Sequence, residues 1–103
     1  MNPPQSKEAI NFIKEGLVFI DFYADWCMPC MMMVPIVDEL CVKFKDKIKF
    51  GKVDVGENQT IAAKFNVSSI PNMTLLRDGQ IVEQIIGSIS EEDLAKVLEG
   101  YLK

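Results

Sequence analysis

The residues best equipped for chemistry are the five from Trp26 to Cys30, Trp-Cys-Met-Pro-Cys, which carry two thiols three positions apart. Residues at that spacing share one face of a helical turn, with Cβ atoms about 5–6 Å apart. A disulfide needs Cβ atoms about 3.8 Å apart, so a small adjustment separates the dithiol from the closed form. An apolar run, Leu17 to Ala24, precedes the pair, and a helical pattern follows from Pro29 to Phe44. The thiols therefore fall where a strand becomes a helix. Free backbone N–H groups and the positive end of the helix dipole favour a thiolate there. Cys27, nearer the helix end and the surface, should attack a disulfide. Cys30, one turn inside, should resolve the mixed disulfide. Pro29 suits the first helical turn, where its missing N–H costs nothing.

The rest of the chain narrows the alternatives. It contains no histidine, which excludes Ser-His and Cys-His nucleophiles and imidazole-dependent zinc sites. A Cys-x-x-Cys pair can be half of a zinc or iron–sulfur site, but four protein ligands are wanted and only Cys41 is left. Cys41 lies 11 residues beyond Cys30, about 16 Å along a helix. It reads as a packed small hydrophobe. No metal and no bound cofactor is expected, the redox-active Cys27–Cys30 disulfide being the only redox group.

Asp21 is the one acid in the apolar run Leu17 to Ala24. Burial should raise its pKa and keep it able to exchange a proton near neutrality. Lys52 shares strand parity with Ile48 and Phe50, so it should face the same layer and could pair with Asp21.

The elements that must position these groups follow from periodicity. Ser6 can cap a helix running to Glu15, with Gly16 as its stop. Leu17 to Ala24 is nearly continuous in apolar residues, the pattern of a strand covered on both faces. In the next helix Met32, Met33, Ile36, Val37, Leu40, Cys41 and Phe44 recur at steps of three and four. That phase puts Met32 and Met33 on the core side, leaves Met28 and Met31 exposed beside Cys27, and expects a kink at Pro35. Ile48 to Val55 is a second strand. Asn58 to Phe65 is a short helix ended by Asn66. Met73–Leu76 and Gln80–Ile86 read as strands of an antiparallel hairpin joined through Arg77-Asp78-Gly79. Ser90 and Asp93 resemble a capping box for a last helix with Leu94, Val97, Leu98 and Tyr101 on its buried stripe. The order implies an α/β mixed sheet with helices on both faces.

With 103 residues, 49% hydrophobic and 25% charged, the chain reads as one domain, 1–103, with a short tail over 1–5. A net charge of −4 and scattered lysines argue against nucleic acid. No apolar signal core or membrane-length stretch is seen, so a soluble cytoplasmic protein is expected.

These residues resemble the thioredoxin family. The resemblance runs from about residue 6 to 103 through Asp21-Phe22, Trp26-Cys27-x-Pro29-Cys30, Pro35, Lys52-Val53-Asp54, Ile70-Pro71, Asp78-Gly79 and Gly87. The link between a Cys-x-x-Cys beside a βαβ pattern and thioredoxin-like redox chemistry is a standard one. It implies a thioredoxin fold with a sheet of about four strands, because the family's usual first strand has no counterpart before Ser6. It also implies a thiol–disulfide oxidoreductase that reduces protein disulfides and is re-reduced by a thioredoxin reductase-like donor. Asp21 would assist deprotonation of the second cysteine, and Lys52 would sit with it at the catalytic site. Ile70-Pro71 would be a cis peptide set against the cysteines, with Ile70 pairing to an extended substrate segment. Trp26, Met28, Pro29, Ile70, Pro71 and Gly87 would form the substrate face, joined by Val55, Ile86 and Ser88. Val55 and Ile86 equally suit ordinary core.

Three positions depart from the family pattern: Met28 replaces the usual Gly, Met31 the usual Lys, and Asn72 the usual Thr. The alternatives are an oxidase or isomerase of the protein disulfide isomerase kind and a non-enzymatic docking module using the same face. A monomer is expected, with weak dimerisation through a sheet edge as the variant.

Overall fold

The computed structural model describes residues 13–103. β1 spans Leu17–Tyr23, α1 Met28–Phe44, β2 Lys49–Asp54, α2 Gln59–Lys64, β3 Asn72–Arg77, β4 Gln80–Ile86 and α3 Glu91–Gly100. The sheet order is β2-β1-β3-β4. β1 runs parallel to β2 and antiparallel to β3, and β3 is antiparallel to β4. The mixed four-stranded sheet and the hairpin match the sequence reading. Of the helix expected from Ser6, only Ile13 and Lys14 are described and helical; its start lies outside the described residues.

Strand alternation sorts β1 between two cores. Phe19 faces Met33, Val37, Leu40 and Phe44 of α1 and Leu94 and Leu98 of α3. Val18, Ile20 and Phe22 face the opposite layer, with Ile61 of α2 and Phe65 packed against them. A strand buried on both faces has no use for polar–apolar alternation, which explains a run that only Asp21 interrupts. Asp21 has the parity of Phe19, so its side chain belongs to the α1 layer.

The α1 stripe is Met33, Val37, Leu40 and Phe44, all buried. Met32, expected on the core side, is 67% exposed. One residue advances a helix by about 100°, which carries Met32 off the stripe that Met33 occupies. Met31, expected in solvent, is half-buried and packs against the cysteine cluster instead. α1 is a single helix through Pro35. Ile86, for which a core place was one reading, is exposed at the end of edge strand β4.

The turns carry the residues their geometry demands. Asp78 and Gly79 have φ of 51° and 84°, the paired positive values of a tight hairpin. The Asp78 carboxylate accepts the Gly16 N–H at 2.8 Å, and the Asp78 N–H donates to Gly16 O. This ties the hairpin to the entry of β1. Ser90 Oγ accepts the Asp93 N–H at 3.1 Å, capping α3.

Candidate active site

Cys27 is the N-cap of α1, extended at φ −93° and ψ 104°, and Pro29 lies in the first helical turn. The Cys30 N–H donates to Cys27 Sγ at 3.2 Å. The sulfur thus takes the place of the usual capping oxygen and receives one of the free amides at the helix start. Cys27 and Cys30 are joined in a disulfide with Cα atoms 5.2 Å apart. Cys27, expected near the surface, is buried at 6% exposure, and Cys30 is deeper at 1%. The neighbours of Cys27, Trp26 at 78% and Met28 at 70%, are large exposed apolar groups, with Asp25 and Pro29 exposed beside them.

Asp21 lies in the α1 layer of the sheet and is 2% exposed. Its Oδ1 has no hydrogen-bond partner among the described residues. Burial pushes its pKa up from 3.8 to about 6; Lys52 pulls the other way, and Asp38 adds to the rise. Lys52 is its register partner on β2 and is half-buried. No Asp21–Lys52 ion pair within 4.0 Å occurs among the described residues, so Lys52 acts through space rather than by contact. The influence of Asp38, from the exposed side of α1, had no signal in the sequence beyond helix phase.

The Ile70–Pro71 peptide is cis. Ile70, Val55, Tyr23 and Met31 pack against the cluster of Ala24, Cys27 and Cys30. Gly87 N–H donates to Pro71 O at 2.9 Å, and Gly87 has φ of 92°, a conformation that suits glycine. Ser88 is exposed just beyond it. Behind Pro71, Asn72 is wholly buried and its Oδ1 accepts from Thr74 Oγ1 at 2.8 Å. Gln84 Nε2 in turn donates to Thr74 Oγ1 and to Phe65 O. This polar chain, which sequence reasoning missed, ties β3, β4 and the end of α2 together beneath the proline loop.

Cys41 is a free, half-buried thiol far along α1. Among the described residues no group of three or more His, Cys, Asp or Glu side chains could hold a metal ion. No described helix is long and apolar enough to cross a membrane.

A Cys-x-x-Cys disulfide at a strand-to-helix corner, its first sulfur capping the helix, with a buried acid on the preceding strand, is the arrangement of thiol–disulfide exchange proteins. Residues 4–100 match the family model described as Thioredoxin. The chain is 43% identical over 88 residues to a thioredoxin of Bacillus subtilis, covering 85% of each. It is 40% identical over 90 residues to one of Staphylococcus aureus, covering 87% of this chain and 86% of that one. A solved mutant thioredoxin from Halobacterium salinarum superposes with a TM-score of 0.85 at 32% identity, over 100% of this chain and 96% of that one. The chain belongs to the thioredoxin family. With its Cys27–Cys30 pair intact, it is a dithiol–disulfide oxidoreductase.

Proposed function

We propose that the chain reduces disulfides in protein substrates and is re-reduced by a thioredoxin reductase-like electron donor. The thiolate of Cys27 attacks one sulfur of the substrate disulfide. The substrate S–S bond breaks, a mixed disulfide forms, and the leaving sulfur takes a proton. Cys30 then loses its proton to Asp21 and attacks the Cys27 sulfur. The second substrate thiol departs and the Cys27–Cys30 bond closes. The observation that carries this division of labour is the Cys30 N–H directed at Cys27 Sγ at the start of α1. It singles out Cys27 as the sulfur whose negative charge is met by a donor, and Cys30 is the more deeply buried of the two.

Lys52, the register neighbour of Asp21, tempers how far burial raises that acid. The substrate segment lies along Trp26, Met28, Pro29, Ile70, Pro71 and Gly87, pairing with the backbone at Ile70 as a short added strand. The reduced Cys27/Cys30 dithiol carries the two electrons and gives them up as the disulfide closes, so no bound cofactor enters. Reduction of protein disulfides suits a cytoplasmic protein acting as a monomer.

The test is dithiothreitol-driven reduction of insulin by the wild type, Cys27→Ser and Cys30→Ser, followed by a redox titration of the wild type. The wild type should catalyse reduction, Cys27→Ser should not, and Cys30→Ser should accumulate a mixed disulfide visible on a non-reducing gel. An inert wild type would remove the proposal. A Cys27→Ser protein with undiminished effect on its partners would make the face a docking module instead.

A further inference from the structure

Three of the exposed large apolar side chains, Trp26, Met28 and Met32, fall within seven residues of one another at the cysteine end of α1. Met28 and Met32 are four positions apart, so their side chains occupy one face of the helix. They are 70% and 67% exposed, whereas Met33 and Met73 are each 1% exposed and Met31 is half-buried. Peroxide reaches a thioether only where the sulfur is accessible. With Cys27 and Cys30 joined, neither offers a thiolate to an oxidant, and the thioethers beside them are the next oxidisable groups on that face.

We propose that Met28, on the substrate face, and Met32, one turn along the same face of α1, are a hydroperoxide-sensitive modification site, and that their oxidation to sulfoxides slows reduction of protein disulfides without altering thiol exchange itself. This rests on the substrate face described above. In the modification, each thioether sulfur attacks one peroxide oxygen. The O–O bond breaks, an S=O bond forms, and the second oxygen leaves as water (as an alcohol for an organic hydroperoxide). The sulfur loses two electrons and the peroxide gains them. A flexible apolar side chain becomes a polar one with a strong acceptor. An apolar segment of a protein substrate that covers Met28 and Met32 would have to desolvate that oxygen. A small disulfide needs only Cys27 and feels little change.

The experiment treats the disulfide form with limiting hydrogen peroxide, removes it, and maps oxygen gain by peptide mass spectrometry. Met28 and Met32 should be oxidised first, Met31 later, and Met33 and Met73 last. After reduction with dithiothreitol, kcat/KM for insulin should fall roughly fivefold, about 1 kcal/mol. The value for bis(2-hydroxyethyl) disulfide should change less than about twofold. The Met28→Leu/Met32→Leu variant, whatever its basal rate, should lose the peroxide sensitivity, and Cys41→Ala should retain it. Early oxidation of Met33 or Met73, equal loss on both substrates, or sensitivity that persists in the double leucine variant would overturn the proposal. If untreated protein failed to reduce insulin, the substrate reading would fall, while the order of oxidation would still decide whether the modification site exists.

Discussion

Asp21→Asn should change the pH dependence of both stability and turnover, and the structure fixes the sign. Burial is the largest influence on Asp21, moving its pKa from 3.8 to about 6 against a smaller opposing pull from Lys52. Between about pH 4 and 6 the folded protein therefore holds a proton that the unfolded chain has released. The contribution of this group is fully present at low pH. It is lost as pH rises through 6, which is opposite to the usual salt-bridged aspartate. A rise of about two pKa units is worth about 3 kcal/mol. Asparagine does not titrate. Relative to its value at pH 4, the stability of the variant over the wild type should grow by about 3 kcal/mol by pH 8, read from urea unfolding of the disulfide forms. Parallel stability curves for the two proteins across that range would refute the argument from burial.

The same replacement separates the two chemical steps. At pH 7 a group with a pKa of about 6 is about nine-tenths ionised, and so can accept the Cys30 proton. In Asp21→Asn the first attack by Cys27 should remain largely intact while the resolving step slows. Stopped-flow single turnovers should then show a longer-lived mixed disulfide. Unchanged single-turnover kinetics would remove Asp21 from the mechanism without touching the stability argument.

Other consequences concern the scaffold. Leu94 is wholly buried against α1 and the sheet, so Leu94→Ala should cost about 2–5 kcal/mol in urea unfolding. Ser90→Ala removes the Oγ that caps α3 and should cost about 1 kcal/mol by the same measurement. Thr74→Val deletes the middle of the Gln84–Thr74–Asn72 chain and leaves buried polar groups unpaired, a loss of about 1–3 kcal/mol.

What could be read in the sequence was what local chemistry determines. The Cys-x-x-Cys pair, the nearly continuous apolar run of β1 and the Asp78-Gly79 hairpin each point to one local conformation. The phase of α1 at its start was not readable, because Met31, Met32 and Met33 are identical and carry no polarity to orient the turn. Only the depth of Val37, Leu40 and Phe44 in the core fixes Met33 inward and Met32 outward. The buried polar chain from Asn72 to Gln84 was equally hidden. A polar residue in a strand reads as solvent-facing until the layer above it is known. The cis peptide at Ile70–Pro71 is a minority state even before proline; only the family resemblance implied it. Asp38 affects Asp21 across two elements, a relation that one-dimensional spacing does not contain.

One bond, from the Cys30 amide to the Cys27 sulfur, serves both folding and reactivity. As an N-cap contact it satisfies a free amide at the start of α1. As a charge-stabilising contact it becomes stronger when the sulfur is a thiolate, because a hydrogen bond to an ionised acceptor is roughly twice as strong as a neutral one. Cys27→Ser and Cys27→Ala distinguish the two roles. Serine is a good capping residue, so the serine variant should keep the start of α1 and lose only the chemistry. Alanine should lose both, and be less stable than serine by about 1 kcal/mol. If the two variants unfold at the same urea concentration, the sulfur contributes nothing as a cap. The amide at 3.2 Å would then matter only once Cys27 carries charge.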